Sequence, residues 1–217
     1  DPCLSLALVR QGPGLGLRIV GPHLRPLDVP IGPGATVEGV RMRPEAAGLL
    51  LGLSPRDWVA RVDGATLHAP DLVAAVHSCE DVDSGATALI GALRERARRA
   101  SRPDDLVRRA VGEIEASGGE ISVSALAERL HLSMRTLQRR FVAATGLSPK
   151  PFARVRRFLL AASNVLRASP DAWGRVAAEH GFADQAHFTR ECIRLTGLSP
   201  TAFADRMSRI QHVGVEP

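Results

Sequence analysis

Thr145-Gly146-Leu147-Ser148-Pro149 recurs, residue for residue, as Thr196-Gly197-Leu198-Ser199-Pro200. An identical pentapeptide at an offset of 51 residues, in a chain of 217, marks an internal repeat. At the same offset Ala127-Glu128 falls on Ala178-Glu179, Ser133 on Asp184, Leu137 on Phe188, Arg139 on Arg190, and Phe152-Ala153 on Phe203-Ala204. The repeat is a unit of about forty residues.

Each unit reads as helix, turn, helix. Ser122 supplies an N-cap for a helix to about Leu130, because its hydroxyl accepts from an otherwise unpaired N–H. His131-Leu132 makes a tight turn, and Ser133 caps a second helix running to Thr145. Gly146 ends that helix by adopting the left-handed conformation. Ser148-Pro149 opens the next, with proline where its missing N–H costs nothing. In the second copy a helix over about 171–180 stops at Gly181. Asp184 caps a helix to Thr196, Gly197 ends it, and Ser199-Pro200 opens the last. The spacer, 149–167, reads as one helix spanning roughly 28 Å at about 1.5 Å per residue. That approaches the rise of one turn of B-DNA, about 34 Å.

The second helix of each unit has two faces. Leu137, Phe141 and Ala144 form one apolar stripe; Phe188, Cys192 and Leu195 form the other. The opposite faces carry Arg135, Gln138 and Arg139 in the first unit, and Gln185, Ala186, Thr189 and Arg190 in the second. Arginine pairs with guanine through two parallel hydrogen bonds, and glutamine can do the same with adenine. A solvated polar face is the plain competitor for any single residue, but weakens as an account of two matching units. On the spacer, Arg154, Arg156 and Arg157 read equally well as phosphate contacts or as ordinary surface.

Charge supports this. Residues 1–100 hold 11 Arg against 11 acids, whereas residues 101–217 hold 16 Arg and one Lys against 12 acids. The whole net charge of +5 therefore sits in the second half, which favours a polyanionic partner there. Cys3, Cys79 and Cys192 are scattered and form no CxxC pair, so no disulfide framework, zinc site or other cofactor is indicated. No apolar run is long enough to span a membrane. Asp1-Pro2 lacks the basic start of a signal peptide, so a reduced, cytoplasmic setting and a chain beginning inside a longer sequence are expected.

The first hundred residues are of another kind. Gly, Pro and Val dominate residues 1–40, and the alternation Leu4-Ser5-Leu6-Ala7-Leu8 predicts short strands joined by turns. Helices are expected at Pro44–Leu51, Pro70–His77 and Ser84–Arg99. The last carries a stripe of Ala86, Leu89, Leu93 and Ala97, which packs on its own domain or on another subunit. Ala100-Ser101-Arg102-Pro103 is the natural boundary.

The run Ala177-Ala178-Glu179-His180-Gly181-Phe182-Ala183-Asp184-Gln185-Ala186-His187-Phe188-Thr189-Arg190, followed by Gly197-Leu198-Ser199-Pro200, resembles the signature of AraC/XylS-type transcription regulators. Leu126-Ala127, Leu137-Gln138-Arg139-Arg140-Phe141 and Gly146-Leu147-Ser148-Pro149 resemble their first helix-turn-helix. The resemblance implies a mainly α chain with a small β-rich N-terminal part. Its C-terminal domain would hold seven helices, with two helix-turn-helix units joined by a long helix. It implies a partial sensor or dimerisation domain at 1–100, a linker at 101–103 and the DNA-binding domain at 104–212. Asp1-Pro2-Cys3-Leu4-Ser5-Leu6, Gly39-Val40-Arg41-Met42-Arg43-Pro44 and Leu53-Ser54-Pro55 look like the end of a cupin-like sensor domain.

Carried over by position, the base contacts are Arg135, Gln138, Arg139, Gln185, Ala186 and Arg190. The DNA backbone contacts are Ser133, Lys150, Arg154, Asp184 and Thr189. Cys192 stands where the family usually has Phe, leaving a looser core, and Ala186 offers only a methyl group. His187 reads as packing at the helix start. The implied partner is double-stranded DNA, with RNA polymerase, a small-molecule effector and a second copy of the chain as further candidates, and no membrane. Activation and repression are both left open.

Rival classes fare worse. Asp71, His77 and Cys79 suggest a cysteine nucleophile, but His77 and Cys79 are two apart at a helix end and point away from each other. A DNA-alkylation repair sensor would need clustered cysteines for zinc. Gly12-Pro13-Gly14-Leu15-Gly16 lacks the Gly-Lys-Ser/Thr ending of a phosphate loop and reads as a turn. A protein-interaction adaptor whose helices no longer touch DNA is the remaining alternative, and the exposed arginines argue against it.

Overall fold

The computed structural model describes residues 1–12, 14–27, 29, 31–167 and 172–208. The N-terminal part is an antiparallel sheet of β1 (Ser5–Gln11), β2 (Gly14–Val20), β3 (Thr36–Arg41) and β4 (Val62–Gly64), in the order β3-β1-β2-β4. Leu4, Leu6 and Leu8 are all buried, as the alternation requires: successive side chains of a strand point to opposite faces. Gly12, with φ +68°, turns β1 into β2, and Gln11 pairs with Gly14. The segment expected to be a turn up to Gly16 therefore enters a strand at Gly14.

Helix α1 (Pro44–Leu51) is followed by a 3-10 turn, Pro55–Trp58; then come α2 (Pro70–His77) and α3 (Val82–Arg99). The α3 helix begins two residues before the expected Ser84 because Asp81 is its cap: the carboxylate accepts from the Ser84 N–H, while the Asp81 N–H reaches back to the Ser84 hydroxyl. Ala86, Leu89 and Leu93 are buried against the sheet and α2, so the stripe packs within its own unit. Ala97 is exposed, past the end of the surface that the stripe covers.

Beyond Pro103 seven helices follow among the described residues: α4 (Asp105–Ala116), α5 (Val123–Arg129), α6 (Met134–Thr145), α7 (Pro149–Val165), α8 (Trp173–Glu179), α9 (Gln185–Thr196) and α10 (Pro200–Ser208). Two apolar cores sit here, and α7 serves both. Its first turn gives Phe152 and Ala153 to the core of α4–α6, where Phe152 meets Phe141 edge-on at 5.2 Å between ring centroids. From Val155 onward it gives Phe158, Ala161, Ala162 and Val165 to the core of α8–α10. The regular helix is 17 residues long, stopping at Val165 short of the expected Arg167, so it spans roughly 25 Å at about 1.5 Å per residue. The α8 helix begins at Trp173; Asp171, expected in its first turn, lies outside the described residues.

Candidate nucleic-acid interface

Both second helices are built by the same local chemistry. The Ser133 hydroxyl accepts from the Thr136 N–H, and the Asp184 carboxylate accepts from the His187 N–H. Each pairs one of the donors that a helix start leaves orphaned. At the far end the repeated threonine bridges helix and turn. Thr145 Oγ1 donates to the Phe141 carbonyl at 2.8 Å and accepts from the Leu147 N–H at 3.3 Å. Thr196 does the same with the Cys192 carbonyl at 2.7 Å and the Leu198 N–H at 3.1 Å. Gly146 and Gly197 take φ +82° and +73°, values that side chains avoid.

The turns differ in length. In the first unit the Leu132 N–H bonds to the Ala127 carbonyl and the His131 N–H to the Glu128 carbonyl. In the second the Phe182 N–H bonds to the Ala177 carbonyl and the Gly181 N–H to the Ala178 carbonyl. These pairs sit at an offset of 50, whereas the caps Ser133 and Asp184 sit at 51. Ala127 is thus equivalent to Ala177, not to Ala178 as the sequence alignment has it. The extra residue, Ala183, lies in the second turn, where its N–H bonds to His187 Nδ1. His131 holds a left-handed conformation (φ +54°) at the site that Gly181 (φ +67°) occupies in the other unit.

The expected faces are where the periodicity puts them. Arg135, Gln138 and Arg139 are exposed on α6, with Leu137 and Phe141 buried opposite and Ala144 half-buried. Gln185, Ala186 and Arg190 are exposed on α9, with Phe188, Cys192 and Leu195 buried. Thr189 is half-buried and donates its hydroxyl to the Gln185 carbonyl. His187 stacks edge-on against Phe182, so it packs at the helix start as expected. Among the described residues Arg135, Arg139 and Arg190 meet no carboxylate within ion-pair distance, and Lys150 is exposed in the same condition.

The spacer arginines behave differently. Arg154 makes two hydrogen bonds to Glu191 of α9, at 3.1 and 3.0 Å. Arg156 pairs with Glu115 of α4 at 3.0 Å. Arg157 donates to the Gly181 carbonyl and covers the Phe182 ring. All three bind protein, and Arg154, half-buried, ties α7 to Glu191 of α9. Burial works against the charge on Glu191, but the hydrogen bonds from Arg194 and Arg154 outweigh it and pull its pKa down to about 2. Cys192 is buried, and burial raises its thiol pKa, so it is a poor thiolate.

The rival clusters disperse. Asp71 is bound by Arg96 of α3, and Cys79 caps back toward the Ala75 carbonyl, leaving no nucleophile–base pair with His77. No group of three or more metal-ligating side chains occurs among the described residues, and no described helix is long and apolar enough to cross a membrane.

One feature of the site has no signal in the repeat. Arg135, Gln138, Arg139 and Ser148 line an open groove of about 760 Å³ whose other wall is Ser54 and Arg56, from the N-terminal part. Met134, at the start of α6, is also exposed, at 54%. Residues so distant in sequence as Arg56 and Arg139 can be placed together only by the packing of the 3-10 turn on α6.

A helix-turn-helix domain family matches residues 126–206. The transcriptional activator RhaS of Escherichia fergusonii is 40% identical over 80 residues, covering 37% of this chain and 28% of that protein. The transcriptional activator RhaR of Pectobacterium atrosepticum is 34% identical over 87 residues, covering 40% of this chain and 30% of that protein. The match thus spans less than a third of either relative's length. The C-terminal domain of AraT, a response regulator from Geobacillus stearothermophilus, is 25% identical with a TM-score of 0.44, covering 54% of this chain and 95% of that domain. Residues 126–206 therefore form a helix-turn-helix domain similar to the matching stretches of these transcriptional activators.

Proposed function

We propose that this chain is a sequence-specific DNA-binding transcription regulator of the cytoplasm, in which α6 and α9 read successive major-groove segments. One observation carries the reading: two capped helices, each exposing arginine and glutamine without an acidic partner, are fixed to one shared helix. The relatives named as transcriptional activators support the same class.

In this reading Arg135, Gln138, Arg139, Gln185 and Arg190 address base edges, and Ala186 offers a methyl contact. Lys150, with the cap turns around Ser133, Asp184 and Thr189, faces the phosphates, which supply much of the affinity. Arg154 acts through Glu191, fixing the tilt of α9. Residues 1–100 form a sensor or dimerisation part, 101–103 the linker and 104–212 the DNA-binding part. RNA polymerase, a small effector and a second copy are its further partners.

The test is selection of bound duplexes from a random DNA pool at near-physiological salt. The expected result is a motif of two blocks about one helical turn apart, near 10 base pairs. Salt-sensitive binding without an enriched motif removes the base-reading role, and no binding to any duplex turns the reading toward a protein-interaction adaptor.

A further inference from the structure

We infer that Arg56 is a DNA-phosphate contact, so that the N-terminal part adds its own wall to the DNA-binding surface beside α6. This deepens the proposed function and rests on it. The 3-10 turn Pro55–Trp58 lies against α6, and its Arg56 shares one open groove with Arg135 and Arg139.

The placement is built, not incidental. Pro55 and Trp58 are buried, which anchors the turn at both ends and leaves Arg56 exposed between them. Gly146, at the end of α6, approaches so closely that a Cβ there would lie 2.6 Å from the Pro55 carbonyl oxygen. The turn and the recognition helix are therefore in backbone contact, and Arg56 has a defined position relative to Arg139.

The charge pattern identifies the occupant. Three arginines line one groove, and none meets a carboxylate within ion-pair distance among the described residues. Asp57, the next residue, is exposed but does not line the groove. Three like charges gathered without counter-charge repel one another, and a polyanion relieves that repulsion. A wall that blocked DNA by mimicry would set carboxylates against Arg135 and Arg139; this wall presents another arginine and the Ser54 side chain. A phosphate flanking the bases read by α6 fits that chemistry. Arg56 carries no sequence information in this role, because phosphate contacts position the protein without specifying bases.

The experiment compares the 217-residue chain with Arg56→Ala, Arg56→Lys and Arg139→Ala, on selected and unrelated duplexes across a salt series. Arg56→Ala is expected to weaken binding on the order of fivefold on every duplex alike, and to reduce the log–log salt slope by about 1. Arg56→Lys keeps most of the affinity, since a phosphate accepts either cation. Arg139→Ala instead loses discrimination between duplexes. If Arg56→Ala leaves affinity and slope unchanged while Arg139→Ala loses discrimination, the inference falls and the proposed function stands. Tighter binding by Arg56→Ala makes the turn an obstruction and overturns the inference. No duplex binding by the parent chain overturns both.

Discussion

Gly146 and Pro55 are packed so tightly that the C-terminal end of α6 has no room for a side chain: a Cβ on Gly146 would stand 2.6 Å from the Pro55 carbonyl oxygen. Gly197, its equivalent in the second repeat, has nothing within 4 Å of the same position. Both glycines hold a positive φ.

The pair separates two effects that usually travel together. Gly197→Ala bears only the left-handed backbone cost, roughly 1–2 kcal/mol. Gly146→Ala bears that cost and forces the N-terminal turn away, adding about 1–3 kcal/mol of overpacking. Urea unfolding of the two variants is the check. Equal losses would mean that the turn does not rest on α6 in solution.

Glu191 gives a pH prediction. Its pKa is lowered from 4.5 to about 2 in the folded chain, so the stability contributed by the Arg154–Glu191–Arg194 cluster is fully present above about pH 4.5. It is lost as pH falls through about 2, because the unfolded state takes up the proton first. Glu191→Gln should be less stable at neutral pH, by about 1–3 kcal/mol, and should lose less on acidification. Parallel acid-unfolding profiles for parent and variant would remove the cluster from the stability account.

Base reading by the two helices should be unequal. Arg139→Ala or Arg135→Ala should cost about 1–3 kcal/mol on a selected duplex and relax choice at one position. Ala186 offers no hydrogen bond, so Ala186→Gly should barely change discrimination. Competition binding on single-base variants of the selected site decides it, and unchanged discrimination in both arginine variants would sink the base-reading assignment.

The thiols should differ in reactivity. Cys192 is buried among Phe158, Phe188 and Leu195, and its thiol pKa is raised by burial. Cys79 is only half-buried. An aromatic disulfide reagent should modify Cys79 first and reach Cys192 only on unfolding. Fast modification of Cys192 in the native chain would point to local opening of the second unit.

Local signals made much of this protein legible. A serine or aspartate cap, an apolar stripe at helical spacing and a glycine stop are each read within a few residues, and they placed the second helix of both repeats correctly. The offset by one in the first helix of the second unit had a physical cause. Ala-Glu occurs at both 127–128 and 178–179, and composition cannot say which alanine closes the turn; the hydrogen bond from Phe182 to Ala177 does. The spacer arginines were ambiguous for the same reason. Arg154 and Arg139 are alike as residues, and only Glu191, brought beside α7 by the packing of α9, commits one of them to the fold.

What the sequence determined by itself was the repeat, the bounds of the second helix in each unit and the polarity of its faces, because these depend on backbone preference and on periodicity along one element. The tertiary structure alone decided which arginines remain open and which are neutralised. It also decided that Arg56 stands beside Arg139. Those facts depend on distances between elements far apart in the chain, which are set by how the cores pack around α7 and by how closely Gly146 lets Pro55 approach.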